Sequence, residues 1–305
     1  MFSLQVIQIV EGKAFELTSS DGLTVCTTEL HSLTSSQEET DTRVILYALH
    51  GASNGYEAIK VRSPDSDIFF ILLHHASKVS AELLFDTGYG NNRRLINVSN
   101  LALEYGQPKC SALMALHAFT GCDTTSCFKG IGKLKPYKTL QKSPEYEKSI
   151  GNLGDTWDIS VNSLSVLQKF TCSIYGNKNI ALIDKLRLNL LQRKCDNKNL
   201  LDSNKRVDLS SLPPCLASLK QHIIRTNYQV AIWKRADENF PESPPPEENG
   251  WVKEDNVLEP LWCEGDVLPA ELFSLLGEEE NCDSDDLDME IESDASEDSD
   301  NELLS

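Results

Sequence analysis

The chain has 305 residues, 40% of them apolar, which is ample for a buried core in one large or two smaller domains. Its formal charge of −19 would argue against binding a polyanion were it evenly spread, but residues 277–305 hold 14 Asp or Glu and no Lys or Arg, leaving only −5 for residues 1–276. The longest apolar run, IFFILL at 68–73, is too short for a bilayer span. The nine cysteines include no Cys-x-x-Cys pair, which argues against a zinc site and fits reduced thiols.

The opening stretch, MFSLQVIQIVEG, has neither a basic n-region nor a small-residue cleavage site, so a soluble intracellular chain with no membrane partner is expected. Residues 2–10 and 13–17 read as strands joined by a tight turn at Glu11-Gly12. A polar stretch, 19–37, leads to the first strong helix. Ser36 and Glu39 form a capping box there, Val44, Ile45, Ala48 and Leu49 form the buried stripe, and Gly51 and Gly55 end it. AIKVRSP (58–64) reads as a buried strand stopped by Pro64, 68–76 as a helix, and 83–86 and 93–98 as two further strands. A long helical region, 99–119, follows. Strands alternating with helices predict an α/β fold with a mainly parallel sheet, in which ligands gather beyond the carboxyl ends of strands.

From about 150 onward the periodicity is helical, at 163–175, 180–193 and 215–236. FPESPPPEENG (240–250) is a Pro-rich linker. Residues 251–276 keep two tryptophans and PAELFSLL, enough to pack on something, whereas 277–305 are expected to be disordered, because dense like charge cannot offset ordering entropy.

Five acids stand beside apolar runs: Glu39 and Asp41, Asp65 and Asp67, and Asp123. Each has an ordinary explanation. The first pair suits the first turn of a helix, the second an Asx turn capping the next helix, and Asp123 a turn. Taken together they are a ligand set for a hard divalent cation, because Mg²⁺ and Mn²⁺ prefer oxygen ligands and keep several waters. Gly130-Ile131-Gly132 followed by Lys133 reads separately as a phosphate-cradling turn. Lys129, Lys133, Lys135, Lys138 and Lys142 form a basic stretch with no acid between them, suited to backbone phosphate or, equally, to a solvated loop.

In this order the motifs Glu39-Thr40-Asp41, Asp65-Ser66-Asp67, Gly121-Cys122-Asp123 and Gly130-Ile131-Gly132 resemble the flap endonuclease and XPG-type 5′ nucleases of the PIN-like superfamily, over roughly 35–145. The resemblance implies a three-layer PIN-like domain over 1–150; periodicity and composition then place a helical region over 151–240, a linker and packed extension over 241–276, and the acidic tail. It implies that Glu39, Asp41, Asp65, Asp67 and Asp123 ligate two Mg²⁺ or Mn²⁺ ions, with Asp65 and Asp67 as the catalytic core. Two such ions serve phosphodiester hydrolysis on DNA or RNA. Nuclear rather than cytoplasmic residence is expected, with the acidic tail as a contact for a protein partner.

Only 38 residues precede Glu39, and their acids (Glu11, Glu16, Asp21, Glu29 and Glu38) do not match the family's upstream strand-end aspartates. The chain is therefore expected to be either a fragment or a relative whose site has decayed into a binding module. LLFDTG (83–88), HAFTGCDTTS (117–126) and NYQVAIWKRA (227–236) also resemble uncharacterised proteins associated with animal transposable elements. Asp86-Thr87-Gly88 matches the aspartic protease triplet but lacks a later apolar-apolar-Gly partner. Asp65-Ser66-Asp67 matches phosphatase pairs weakly, since Pro64 intervenes. The histidines show no metal spacing, and no complete P-loop or dinucleotide fingerprint occurs. Ser284, Ser293, Ser296 and Ser299 lie among acids, as phosphorylated serines or as part of a solvated tail.

Overall fold

A computed structural model describes residues 4–10, 13–19, 23–196 and 209–264. The Glu11-Gly12 turn, the PAELFSLL segment and the acidic tail with its serines lie outside the described residues. The chain divides into two compact units, one of residues 1–114 and 230–244, the other of 115–229 and 245–305. No helix among the described residues is long and apolar enough to cross a membrane.

The first unit opens with an antiparallel sheet of β1 (Leu4–Val10), β2 (Lys13–Ser19) and β3 (Cys26–Glu29). The third strand falls within the stretch 19–37 that reads from sequence as polar, with no strand assigned. Ala14 of this sheet packs with Leu33 and Leu46, flanked by Ile9, Leu30 and Tyr47. Helix α1 (Thr40–Ser53) buries Thr42, Ile45, Leu46 and Ala48, a stripe rotated from the expected one.

This helix starts at Thr40, not just after Ser36, and the capping box does not form. Glu39 is the N-cap and makes no side-chain cap bond. The preceding chain is pulled straight by tertiary ties. Ser36 N–H and Ser35 Oγ both donate to Asn239 O, at 3.1 and 2.8 Å, and Gln37 Nε2 donates to Ala236 O at 3.1 Å and Glu238 O at 2.5 Å. These bonds satisfy buried polar groups that a longer helix would have left unpaired.

β4 (Ala58–Arg62), α2 (Ser66–His75), β5 (Glu82–Thr87), β6 (Arg94–Asn97) and α3 (Val98–Tyr105) complete the α/β part. The expectation of a mainly parallel, PIN-like sheet is overturned. Among the described residues only β4 and β5 pair parallel, with Val61 opposite Phe85; β5 pairs antiparallel with β6, and the other pairings are antiparallel. The cause is local. A helical crossover separates β4 from β5, whereas the short Gly88–Arg93 connection permits only an antiparallel return. β4 is an edge strand with alternating exposure, not the buried strand expected.

Helix α2 is buried from Asp67 to His75, which suits the unbroken IFFILL run. Each of its fully buried Ile, Leu and Phe side chains contributes about 1.5–3 kcal/mol. The region read as one helix over 99–119 is divided. Gly106, at φ 76°, ends α3, and α4 (Gln107–Phe119) starts with Pro108 in its first turn, where a missing N–H costs nothing.

The second unit contains α5 (Leu134–Leu140), α6 (Pro144–Gly151), α7 (Val161–Ile174), α8 (Ile183–Asp196), most of α9 (Leu216–Lys234), and a hairpin of β7 (Trp251–Glu254) and β8 (Val257–Pro260). Asp255 and Asn256, at φ 48° and 64°, make the hairpin turn, in a conformation that short polar residues tolerate. Its core includes Phe119, Phe128 and Phe170, with the buried His222 ring 5.2 Å from Phe119 and 5.1 Å from Phe128.

Candidate metal centre

Three carboxylates of the first unit converge. Asp41, Asp65 and Asp67 each present an oxygen, and the three oxygens lie within 4.8 Å of one another. Asp41 is the second residue of α1 and Asp67 the second residue of α2, while Asp65 is the N-cap of α2. Two helix starts therefore deliver their first-turn acids to one place, where the macrodipoles offset part of the gathered negative charge.

The chain after β4 explains how Asp65 is aimed. Ser63 N–H donates to Asp86 O at 3.2 Å, continuing the ladder with β5 for one residue. Ser63 Oγ then accepts from Asp65 N–H at 3.0 Å, and Asp65 Oδ1 accepts from Asp67 N–H at 2.9 Å. Pro64, with its fixed φ, sits inside this double turn. Asp65 thus does what the Asx-turn reading expected, and capping uses only part of a carboxylate's acceptor capacity. Ser63 is a positioning residue that the sequence reading missed, although Ser-Pro-Asp is a local turn signal.

Asp67 is only 6% exposed, and Asp41 and Asp65 are half-buried. Octahedral oxygens about 2.0–2.1 Å from Mg²⁺ stand about 2.9 Å apart when adjacent and about 4.2 Å when opposite. The three oxygens, all within 4.8 Å of one another, are close enough that the triad could hold a divalent cation. Each carboxylate pair at that distance costs about 1 to 3.5 kcal/mol in Coulomb repulsion between the water and surface limits, a cost that a doubly charged ion offsets.

The other expected ligands are placed differently. Glu39 is outside the group of three, and its carbonyl accepts from Thr42 Oγ1 at 3.0 Å. Asp123 belongs to the second unit and is exposed, in a turn closed by a Cys122–Thr125 bridge. That turn is built by Thr125, whose Oγ1 donates to Ala118 O at 2.5 Å and accepts from Cys122 N–H at 3.1 Å.

The basic stretch, also in the second unit, divides in two. Lys133 is turned to internal use, its ammonium donating to Gly121 O at 2.6 Å and to His117 Nδ1 at 3.0 Å. Lys129 donates to Ser210 Oγ. Lys135, Lys138 and Lys142 are exposed at helical spacing along α5 and just past its end, opposite buried Pro136 and Leu140. Gly130, at φ 74°, has open space where a Cβ would stand, and Gly132 is half-buried.

Asp86 is an ion-pair hub. Arg93 grips both of its oxygens, Nε at 2.8 Å and Nη2 at 2.5 Å, while Arg62 adds a bond at 3.0 Å. The Arg93 bonds, assisted by Arg62, hold its carboxyl well below the usual carboxylate range. An aspartate so committed is suited to structure rather than to the shared proton of a protease pair.

Comparison with protein-family models, with curated proteins and with solved structures yields no match, so the functional reading rests on this geometry.

Proposed function

We propose that Asp41, Asp65 and Asp67 bind one Mg²⁺ or Mn²⁺ ion and that the chain hydrolyses phosphodiester bonds in DNA or RNA with water as the nucleophile, in the manner of the flap endonuclease-like nucleases. The observation that carries this reading is the convergence of three aspartates from two separate segments at the starts of α1 and α2. A bound ion would supply a Lewis acid for a phosphoryl oxygen and lower the pKa of water. The chain's own contribution is to fix three oxygens from two helix starts, with Ser63 and the Asp67 N–H orienting Asp65. Three carboxylates suit a single ion rather than the two implied by the resemblance, since a second would need further acids. The exposed Lys135, Lys138 and Lys142 would contact backbone phosphate without reading sequence.

A second reading is a non-catalytic module that binds nucleic acid. It is favoured by the small ligand set, since Glu39 lies outside the group of three and Asp123 belongs to the second unit. The deciding experiment compares Mn²⁺-dependent cleavage of branched and single-stranded DNA by the wild-type chain and by an Asp65→Ala/Asp67→Ala double variant. Cleavage lost in the variant supports hydrolysis. Equal products from both refute it, and binding without cleavage favours the module.

A further inference from the structure

Cys215 and Cys263, far apart in sequence, are hydrogen-bonded to each other in the second unit. Cys215 directly precedes α9, and its carbonyl accepts the Leu219 N–H at 2.8 Å. Its Sγ donates to Ser218 Oγ at 3.2 Å. Burial alone would raise the Cys215 pKa, but hydrogen bonding with the Ser218 hydroxyl, the Ser218 N–H and the Cys263 thiol outweighs it and brings the thiol below its ordinary value. Asp184 opposes this only in part. Its Oδ1 is occupied in accepting the Leu216 N–H at 3.0 Å.

Both thiols are partly exposed. Cys110 and Cys172 provide the contrast: both are buried, and burial pushes their thiols up to about 11 and about 12. The chain around Cys263 is held in register along α9. Arg225 Nη1 donates to Gly250 O at 3.0 Å and Leu261 O at 2.5 Å, its guanidinium stacks 5.5 Å from the Trp262 ring, and Gln221 Nε2 donates to Glu264 Oε2 at 3.0 Å.

We infer that Cys215 and Cys263 are a redox modification site, forming a reversible disulfide on exposure to a peroxide and clamping the segment after β8 to the start of α9. The Cys215 thiolate attacks one peroxide oxygen, the O–O bond breaks, and the departing hydroxide takes a proton to become water, leaving a sulfenic acid. The Cys263 sulfur then attacks the Cys215 sulfur and expels a second water, so two thiols and one hydrogen peroxide become one disulfide and two waters. An external dithiol reverses the step by exchange.

The test is a hydrogen peroxide titration of the full chain, quenched with iodoacetamide and digested without reductant. A cross-linked peptide pair joining Cys215 to Cys263 is expected, lighter than its parts by the two hydrogens lost and abolished by dithiothreitol. In Cys263→Ser the Cys215 sulfenic acid should persist and be trapped by dimedone. Ser218→Ala, which removes a donor to the thiolate, should slow iodoacetamide labelling of Cys215 roughly several-fold. Separate sulfinic acids on the two residues, or bridges to other cysteines in comparable yield, would overturn the assignment. So would both thiols staying alkylatable while other cysteines oxidise.

Discussion

Two buried histidines make the stability of this chain steeply dependent on mild acid. His222 is 5% exposed; burial is the main force lowering its pKa to about 4, with the Phe119 O bond opposing and Arg225 assisting. His74, 7% exposed, is brought to about 3, again chiefly by burial, with His75, Lys234 and Lys78 adding repulsion. Because the folded state favours the neutral ring, the unfolded chain, titrating at about 6.5, binds more protons below that pH. The stabilisation is complete above about pH 6.5 and is lost as pH falls toward the folded values.

At about pH 5 each of these rings has given up about 2 kcal/mol relative to about pH 7.5, at about 1.4 kcal/mol per pH unit. His75, whose pKa burial also lowers, adds in the same direction. The assay is urea denaturation followed by tryptophan fluorescence at the two pH values for the wild type, His222→Gln and His74→Gln. Glutamine cannot titrate, and at position 222 it keeps a donor for Phe119 O, which now receives His222 Nε2 at 2.8 Å. The cost of each substitution at about pH 7.5 should therefore shrink by about 2 kcal/mol at about pH 5. A wild type equally stable at both pH values would refute the reasoning, as would a His222 imidazole that titrates near 6.5 by NMR.

Other perturbations follow from particular contacts. Mn²⁺ at about 100 times its dissociation constant should stabilise the chain by about 2.7 kcal/mol, and Asp67→Asn should remove most of that gain in calorimetry. Gly88→Ala should cost about 1–3 kcal/mol, because a Cβ there would stand 2.3 Å from Asn92 O and the backbone sits at φ 76°; an unchanged urea midpoint would contradict this. Gln37→Ala should cost about 1–3 kcal/mol by stranding the carbonyls of Ala236 and Glu238, a loss offset in part because Gln37 Oε1 is itself buried without a partner. Asp86→Asn should destabilise the first unit at neutral pH, because it leaves the Arg62 and Arg93 charges without their shared anion; circular dichroism melts decide it.

What the sequence disclosed was what local chemistry dictates. The apolar IFFILL run became α2, Pro64 ended β4, and helical periodicity located α7, α8 and α9 to within a few residues. Asp41, Asp65 and Asp67 were legible as candidate ligands because acids beside core-forming runs are unusual. What failed was set by distant partners or by the geometry of short connections. The start of α1 depends on Ser35, Ser36 and Gln37 meeting residues some two hundred positions later. Strand direction in the β4–β5–β6 sheet depends on connection geometry, which alternation of strands and helices does not specify. No spacing rule relates Cys215 to Cys263 or His75 to the Trp233 carbonyl, since each pair meets only once the chain has folded.

The placement of the triad also constrains what kind of ion site it would make. All of its ligands come from helix starts, where N–H groups already compete for carboxylate oxygens; Asp65 gives Oδ1 to the Asp67 N–H. Each oxygen shared with the backbone is a weaker donor to a cation, and the two macrodipoles repel positive charge. Such a site favours an ion that keeps much of its water over one that needs six to eight protein oxygens, which argues for Mg²⁺ or Mn²⁺ and against Ca²⁺. It also leaves coordination positions for a phosphate oxygen, so binding should tighten when a phosphodiester is present. Mn²⁺ affinity measured with and without single-stranded DNA checks this: at least a several-fold gain is expected, and an affinity indifferent to the nucleic acid would mean that the ion serves structure alone.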